Sequence, residues 1–265
     1  MSILKWFMRM IVGIGGLAIS KPSGAAGFVP SQIGGLTLWL KADSGITKDG
    51  SNLVSNWNDQ SGNNNHFTQT TGTAKPLFTA NAKNGLPAIV FDGTSDYMAS
   101  AAFTLGTFSL FAVASRKWQV PAYAGLFRHD LTATSGQGLF TTSSAVYGWN
   151  SAEFVVSGNG FQDTQSPRAI GPYGALTNDT YHIISTGCGA SGTFLKLDRT
   201  SVARTTTNAT ITATSATAAI GTDAAALNAD WWDGGIAELL IYNSVLSAGD
   251  ITKVETYLSN KWAIV

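Results

Sequence analysis

The chain has 265 residues, enough for one large domain with its own core. Charged residues make up only 12% of it, against roughly 25% in an average soluble protein, and 44% are hydrophobic, so the polar surface has to be built mainly from Thr, Ser, Asn, Gln and Gly. Sixteen basic residues balance sixteen acidic ones, which leaves no electrostatic footprint for nucleic acid, and the single cysteine, Cys188, excludes an internal disulfide framework.

The first thirty residues differ from everything after them. Lys5 and Arg9 precede an apolar run at 10–19, and small residues follow, which is the layout of a secretory signal. The run is shorter than the ~20 apolar residues a membrane-spanning helix needs. The expectation is a retained apolar arm, residues 1–34, whose Trp6, Phe7, Ile11, Val12 and Leu17 are buried against partner subunits. Inside it, Gly13, Gly15 and Ala18 match the dinucleotide fingerprint G-x-G-x-x-A. The context lacks a preceding strand and a following βαβ pattern, and Pro22 breaks the chain soon after, so that reading is rejected.

From residue 35 onward, short apolar or alternating runs are separated by Gly, Asn, Asp, Ser and Pro. Strands are predicted at 36–40, 53–58, 88–91, 107–114, 124–128 and 138–140, then at 145–149, 154–156, 181–186, 193–197, 218–220 and 235–242. Turn signals every 8 to 15 residues suit a two-sheet sandwich, and no linker interrupts 35–265, which reads as one all-β domain. One helix closes the chain. Ser247 with Asp250 forms its capping box, and Ile251, Val254, Leu258 and Trp262 fall on one face, predicted to seal the outside of the sandwich.

Five blocks now stand in order: LTLWLKAD from residue 36, VSNWNDQSGNNNHFTQ from 54, KPLF from 75, NGLPAIVFDGTSDYM from 84, and GGIAELLIYNSVLSAGDITKVETYLSNKW from 234. This order resembles the laminin-G-like, concanavalin A-like jelly-roll domains found in phage virion proteins and bacterial secreted proteins. The resemblance implies two antiparallel sheets forming a jelly-roll sandwich. It also implies a concave face or loop rim that binds glycans or a protein, sometimes with calcium. Glu238, inside the apolar run IAELLIY, is expected to be half-buried and paired, because an unpaired carboxylate there is costly.

Glycan hydrolases on this sandwich place carboxylates at alternate strand positions, so that two face each other roughly 5 Å apart for retention. Here Glu153, Glu238 and Glu255 each lack an acid two or three residues away, and Asp230 and Asp233 flank two tryptophans at loop spacing. His66, His129 and His182 are isolated, with no metal-binding spacing. No catalytic residue is assigned.

Binding has better candidates. Sugars stack their C–H faces on exposed aromatics and reach amides and carboxylates through hydroxyls. Trp118, Tyr123, Trp149, Trp231 and Trp232 lie at loop-like or strand-end positions, whereas Trp39, Trp57 and Trp262 are assigned to the core. The stretch WNDQSGNNNHF, residues 57–67, reads first as a turn, with Asp59, Asn63, Asn65 and His66 as its ligand candidates. No cofactor is expected except calcium, for which Asp59, Asn63, Asp92 and Asp96 are the candidate ligands at about 2.4 Å.

The leading functional expectation is a non-enzymatic virion surface protein of a tailed phage, acting in decoration, as a fibre or in receptor binding. It would bind host glycan or a protein and assemble with other virion subunits through residues 1–30 into an oligomer. A secreted or cell-surface bacterial lectin-like module is the alternative, and a glycan-cleaving enzyme the third.

Overall fold

Every residue from Phe108 to Ala114 is buried. Alternate side chains of a strand face opposite sides of its sheet, so a strand buried throughout must lie in a sheet covered on both faces. The computed structural model shows how. It describes residues 27–117, 123–130, 137–142, 153–157, 168–170, 176–203, 205–222 and 230–265.

In chain order the strands are β1 (Leu36–Lys41), β2 (Ile46–Lys48), β3 (Val54–Trp57), β4 (Phe67–Thr68), β5 (Leu77–Lys83), β6 (Leu86–Asp92) and β7 (Met98–Ser100). They continue as β8 (Phe103–Leu105), β9 (Phe108–Ala114), β10 (Tyr123–His129), β11 (Gln137–Thr142), β12 (Glu153–Ser157), β13 (Arg168–Ile170) and β14 (His182–Gly189). The last are β15 (Gly192–Leu197), β16 (Thr200–Ser201), β17 (Thr205–Thr207), β18 (Thr214–Ala216), β19 (Ala218–Ile220) and β20 (Asp233–Tyr242), before helix α1 (Ala248–Trp262).

The pairing is antiparallel throughout. One large sheet runs β16-β15-β14-β9-β20-β6-β5, with β1 also on β20, a second runs β17-β13-β12-β11-β10-β19-β7-β4-β3-β2, and β8 pairs with β18 in a separate two-stranded sheet. β20 is the axis of the first. Its start pairs with β6, from Asp233 opposite Asp92 to Ile236 opposite Ile89. After a bulge its end pairs with β1, from Glu238 opposite Lys41 to Tyr242 opposite Leu36.

Two apolar layers result. Between the sheets lie Leu38, Leu40, Trp57, Phe67, Phe91, Phe127, Trp232 and Ile241. On the outer face of the first sheet, Trp39, Phe111, Val113, Leu240 and Tyr242 pack under Ile251, Val254, Leu258 and Trp262 of α1. The helix face predicted from spacing is therefore the face that is buried. Asp250 N–H donates to Ser247 Oγ at 3.2 Å, which caps the helix. Residues 28–33 join this outer layer: Phe28 and Ile33 pack against it, and Tyr242 donates its hydroxyl to Pro30 O at 3.0 Å.

At the centre of the outer layer is a carboxylate. Glu238 is fully buried and accepts from Trp39 Nε1 at 2.7 Å and Tyr257 Oη at 2.9 Å on one oxygen. The other oxygen takes Trp262 Nε1 at 2.8 Å and Lys261 Nζ at 2.9 Å. The sequence reading of a half-buried, paired group was right about pairing and too shallow about burial.

The described strands overlap each predicted strand, with ends at 53, 58, 107 and 181 falling one residue outside β3, β9 and β14, except 145–149, which lies outside the described residues. The strands without a sequence prediction are short or polar. β5, LFTANAK, is an edge strand in which Leu77, Ala80 and Asn81 are exposed and no residue is buried, so it shows no apolar alternation. No helix among the described residues is long and apolar enough to cross a membrane.

Glu238→Ala leaves two indole N–H groups and a phenol without their shared acceptor in the buried layer, while Lys261 keeps its pairing with Asp43, at 3.1 Å. The expected cost is about 3–5 kcal/mol, read as a lower urea midpoint at unchanged m-value, with Glu238→Gln falling between it and the parent chain.

Candidate ligand-binding rim

Where β20 begins, four loops meet. Gly234 sits at φ +149°, and a Cβ there would lie 2.2 Å from Ser115 O. A Cβ on Gly235 would lie 1.9 Å from the Tyr181 hydroxyl. Neither position tolerates a side chain, so the strand enters bare and Tyr181 lies directly on its backbone. Lys117 N–H donates to Asp233 O at 2.7 Å, and Asp179 N–H to Arg116 O at 2.7 Å, which ties the loops after β9 and before β14 to the same edge.

The result is a depression of about 570 Å³ on the outer face of the first sheet, beyond the reach of α1. Its floor is Gly234, Gly235 and Val90, and its walls carry Tyr181, Lys117, Asp179, Lys83, Thr79 and Leu77. Leu77 is 42% exposed, so one wall is apolar. Around the corner, the rings of Tyr97 and half-buried Trp231 stack with centroids 6.0 Å apart.

Charge is concentrated at this rim. Asp92 Oδ1 accepts the N–H groups of Thr94, Ser95 and Asp96 at 2.8, 2.8 and 3.0 Å, and Oδ2 takes the hydroxyls of Thr94 and Ser95. Burial alone would raise its pKa, but these bonds outweigh it and hold the group at about 2. Asp96 is pushed up to about 7 by burial and then by the charge of Asp92. Burial also raises Asp233 against the pull of Lys117 and Arg116, and raises Asp230 against that of Arg128. Arg116 is brought down to about 10 by burial, opposed by Asp233, while its guanidinium lies 5.7 Å from the Trp232 ring centre. Such clustering of perturbed groups beside a cleft marks functional-site candidates.

The sequence candidates divide between two ends of the molecule. Trp231, Asp92 and Asp96 lie at this rim. Trp232 is fully buried, with its indole N–H on Ser115 O at 3.2 Å, which removes it from the ligand-binding set. Trp118 and Trp149 lie outside the described residues, as do Trp6, Phe7, Ile11, Val12 and Leu17, and the Tyr123 side chain is likewise not described.

Asp59, Asn63, Asn65 and His66 lie at the other end, where the turn at 57–67 is stitched to β1. Asp59 is buried and accepts Trp39 N–H at 2.9 Å, Ser61 N–H at 2.8 Å, Ser61 Oγ at 2.7 Å and Asn65 N–H at 3.0 Å. His66 Nδ1 accepts Asp59 N–H at 3.0 Å. Asn63 and Asn65 donate to Leu36 O at 2.8 Å and Thr37 O at 2.9 Å respectively.

The four calcium candidates therefore do not form one site. Asp92 faces Asp233 at one end of β20, while Asn63 holds Leu36, the partner of Tyr242, at the other, roughly 30 Å away along a strand of this length. Both Asp59 and Asp92 are occupied by their own turns. Among the described residues no group of three or more His, Cys, Asp or Glu is placed to hold a metal ion.

Tyr97, Lys117, Asp179 and Tyr181 escaped the sequence reading as site residues because none belongs to a local pattern. The adjacent glycines 234 and 235 are the signal the sequence carries, since paired glycines at a strand start permit close backbone approach, and the approaching groups are Ser115 and Tyr181.

No family model matches the chain, and no curated protein matches it in sequence. Solved structures share its fold. Domain 4 of AbnA, an extracellular GH43 arabinanase from Geobacillus stearothermophilus solved with arabinotriose, is 14% identical with a TM-score of 0.56, covering 83% of this chain and 98% of that one. Trypanosoma rangeli sialidase with sialic acid is 12% identical with a TM-score of 0.55, covering 86% of this chain and 33% of that one. The binding domain of Paraclostridial Mosquitocidal Protein 1 is 10% identical with a TM-score of 0.57, covering 88% of this chain and 54% of that one. The chain thus spans a third of the sialidase and about half of the mosquitocidal binding-domain chain, and at these identities the likeness is one of fold.

Asp96 gives the rim a pH signature. Its folded pKa of about 7 lies above the ordinary 3.8, so the folded chain holds the proton more tightly. That contribution to stability is complete below about 3.8 and is lost as pH rises through about 7. Asp92 works in the opposite direction, stabilising above 3.8 and losing this as pH falls through about 2. Asp96→Asn, whose amide oxygen still accepts from Asp92 N–H, should flatten the decline in melting temperature between about pH 4 and 7 while leaving the acid limb in place.

Proposed function

We propose that the chain is a carbohydrate-binding β-sandwich domain without hydrolytic activity, and that its ligand binds at the rim of Tyr181, Lys117, Asp179 and the Tyr97–Trp231 pair. The depression over Gly234 and Gly235 carries this reading. It offers an aromatic ring and an apolar wall for the C–H face of a sugar, an ammonium that donates to hydroxyl oxygens, and a carboxylate that accepts from hydroxyl hydrogens. The arabinotriose and sialic acid found with two of the fold neighbours support a sugar as the ligand class.

The position of the acids supports binding over cleavage. Glu238 is spent on four donors beneath α1, and Glu255 is buried against Lys196 at 2.5 Å. Asp92 and Asp233 do face each other across β6 and β20 with opposite pKa shifts, the arrangement an acid and base pair needs. Asp92, however, has both oxygens taken up by its turn. That pair is the observation favouring a glycan-cleaving enzyme as a second reading.

At the finer level the domain belongs to the surface of a tailed-phage particle, with residues 1–34 joining it to other virion subunits in an oligomer. The low-charge Thr/Ser/Gly surface and the lack of a disulfide framework support this placement, and a secreted or cell-surface lectin-like module is its alternative.

On a glycan array, the full chain should bind a restricted set of saccharides. Tyr181→Ala and Lys117→Ala should each weaken the best of them by tenfold or more in calorimetry, with circular dichroism unchanged. No binding across the array would overturn the proposal, and reducing-end release from any bound polysaccharide would favour the enzymatic reading.

A further inference from the structure

The far end of β20 carries a second cleft, of about 430 Å³, lined by Thr37, Asn63, Asn65, Phe103, Thr104 and Asn243, with no charged side chain in its lining. We propose that it is an independent site for a neutral saccharide, recognised through its hydroxyl groups. Nothing in its construction depends on the Tyr181 rim.

The argument starts from which end of each amide is spent. Asn63 Nδ2 donates to Leu36 O at 2.8 Å, Thr37 O at 3.2 Å and Ser61 Oγ at 2.9 Å, and Asn65 Nδ2 donates to Thr37 O at 2.9 Å. The nitrogen ends are thus committed to the backbone of β1, and the oxygen ends have no partner among the described residues. Those oxygens are acceptors held in place before any ligand arrives, so ordering them costs little on binding.

The third amide is positioned by the backbone. Asn243 N–H donates to Gly35 O at 2.9 Å, and Gly35 has φ +82°. A Cβ on Gly35 would lie 2.3 Å from Asn243 Oδ1, so only glycine leaves room for that amide. Thr104, exposed on β8, adds a hydroxyl that both donates and accepts.

The chemistry of this set selects its ligand. Uncharged acceptors and hydroxyls give no advantage to a phosphate, a sulfate or a carboxylated sugar, and they match the hydroxyl donors of a neutral one. Two sites roughly 30 Å apart on one chain also allow one polysaccharide or one surface to be held at both ends.

The test is titration of the isotope-labelled full chain with maltotriose, xylotriose and mannotriose, followed through the side-chain amide resonances of Asn63, Asn65 and Asn243. At least one probe should shift all three. Thr104→Trp, which fills the cleft from an exposed position, should weaken that response at least tenfold, and Tyr181→Ala should leave it unchanged. If Thr104→Trp does not fold, Asn243→Ala removes one acceptor without touching the amides that hold β1 and should weaken it likewise. Silence of these resonances with all three probes, shifts confined to the Tyr181 rim, or the same shifts from calcium chloride alone would overturn the proposal. Loss of the rim's binding with the Asn63, Asn65 and Asn243 response intact would overturn only the proposed rim site.

Discussion

A carboxylate with no access to water has to find its solvation inside the protein, and Glu238 finds all of it between β1, β20 and α1. Its donors come from Trp39 on one strand and from Tyr257, Lys261 and Trp262 on the helix. Each donor is satisfied only when the helix lies at one height and rotation on the sheet. The apolar contacts of Val254, Leu258 and Trp262 would tolerate neighbouring registers, because apolar packing is not directional. The buried acid removes that freedom, in the way a buried polar group can trade stability for a unique arrangement.

With the helix placed, the outer face of the first sheet is divided. α1 covers it as far as the buried Tyr242 at the end of β20, and a hollow lies beside each end of that strand. Both ends are built by the same device, a glycine beside a polar neighbour that would collide with any side chain: Gly235 under Tyr181 and Gly35 under Asn243. Bare backbone at a strand end lets a functional side chain approach the sheet closely while leaving a hollow beside it. The two hollows differ in character because one is ringed by Lys117, Lys83 and Asp179 and the other by amides and hydroxyls.

The low charge of the chain shapes both ends. With few ionic groups to spend, the turns are held by Asp and Asn side chains bonded to nearby backbone N–H and C=O groups. The turns at Asp59 and Asp92 each saturate both oxygens of one carboxylate in this way. This is why WNDQSGNNNHF, so rich in ligand-type residues, uses its one acid as an internal staple. Only the oxygen ends of Asn63 and Asn65 stay available to a cleft.

Local pattern was enough for much of the architecture. Apolar runs bounded by turn residues placed the long strands, helical spacing identified the buried face of α1, and Ser247 with Asp250 located its start, because these depend on neighbours within a few residues. Short strands such as β4 and β16 were not legible, since two residues cannot display a period, and neither was β5, whose polar edge shows no alternation. The sites were less legible still. Lys117, Tyr181 and Gly235 are far apart in the chain and meet only because β20 lies between β6 and β9, and Asp59 and Asp92 looked like partners until the length of β20 separated them. Composition and periodicity report which face of an element is buried. Which residues share a hollow is set by long-range pairing, and that information exists only once the sheet has formed.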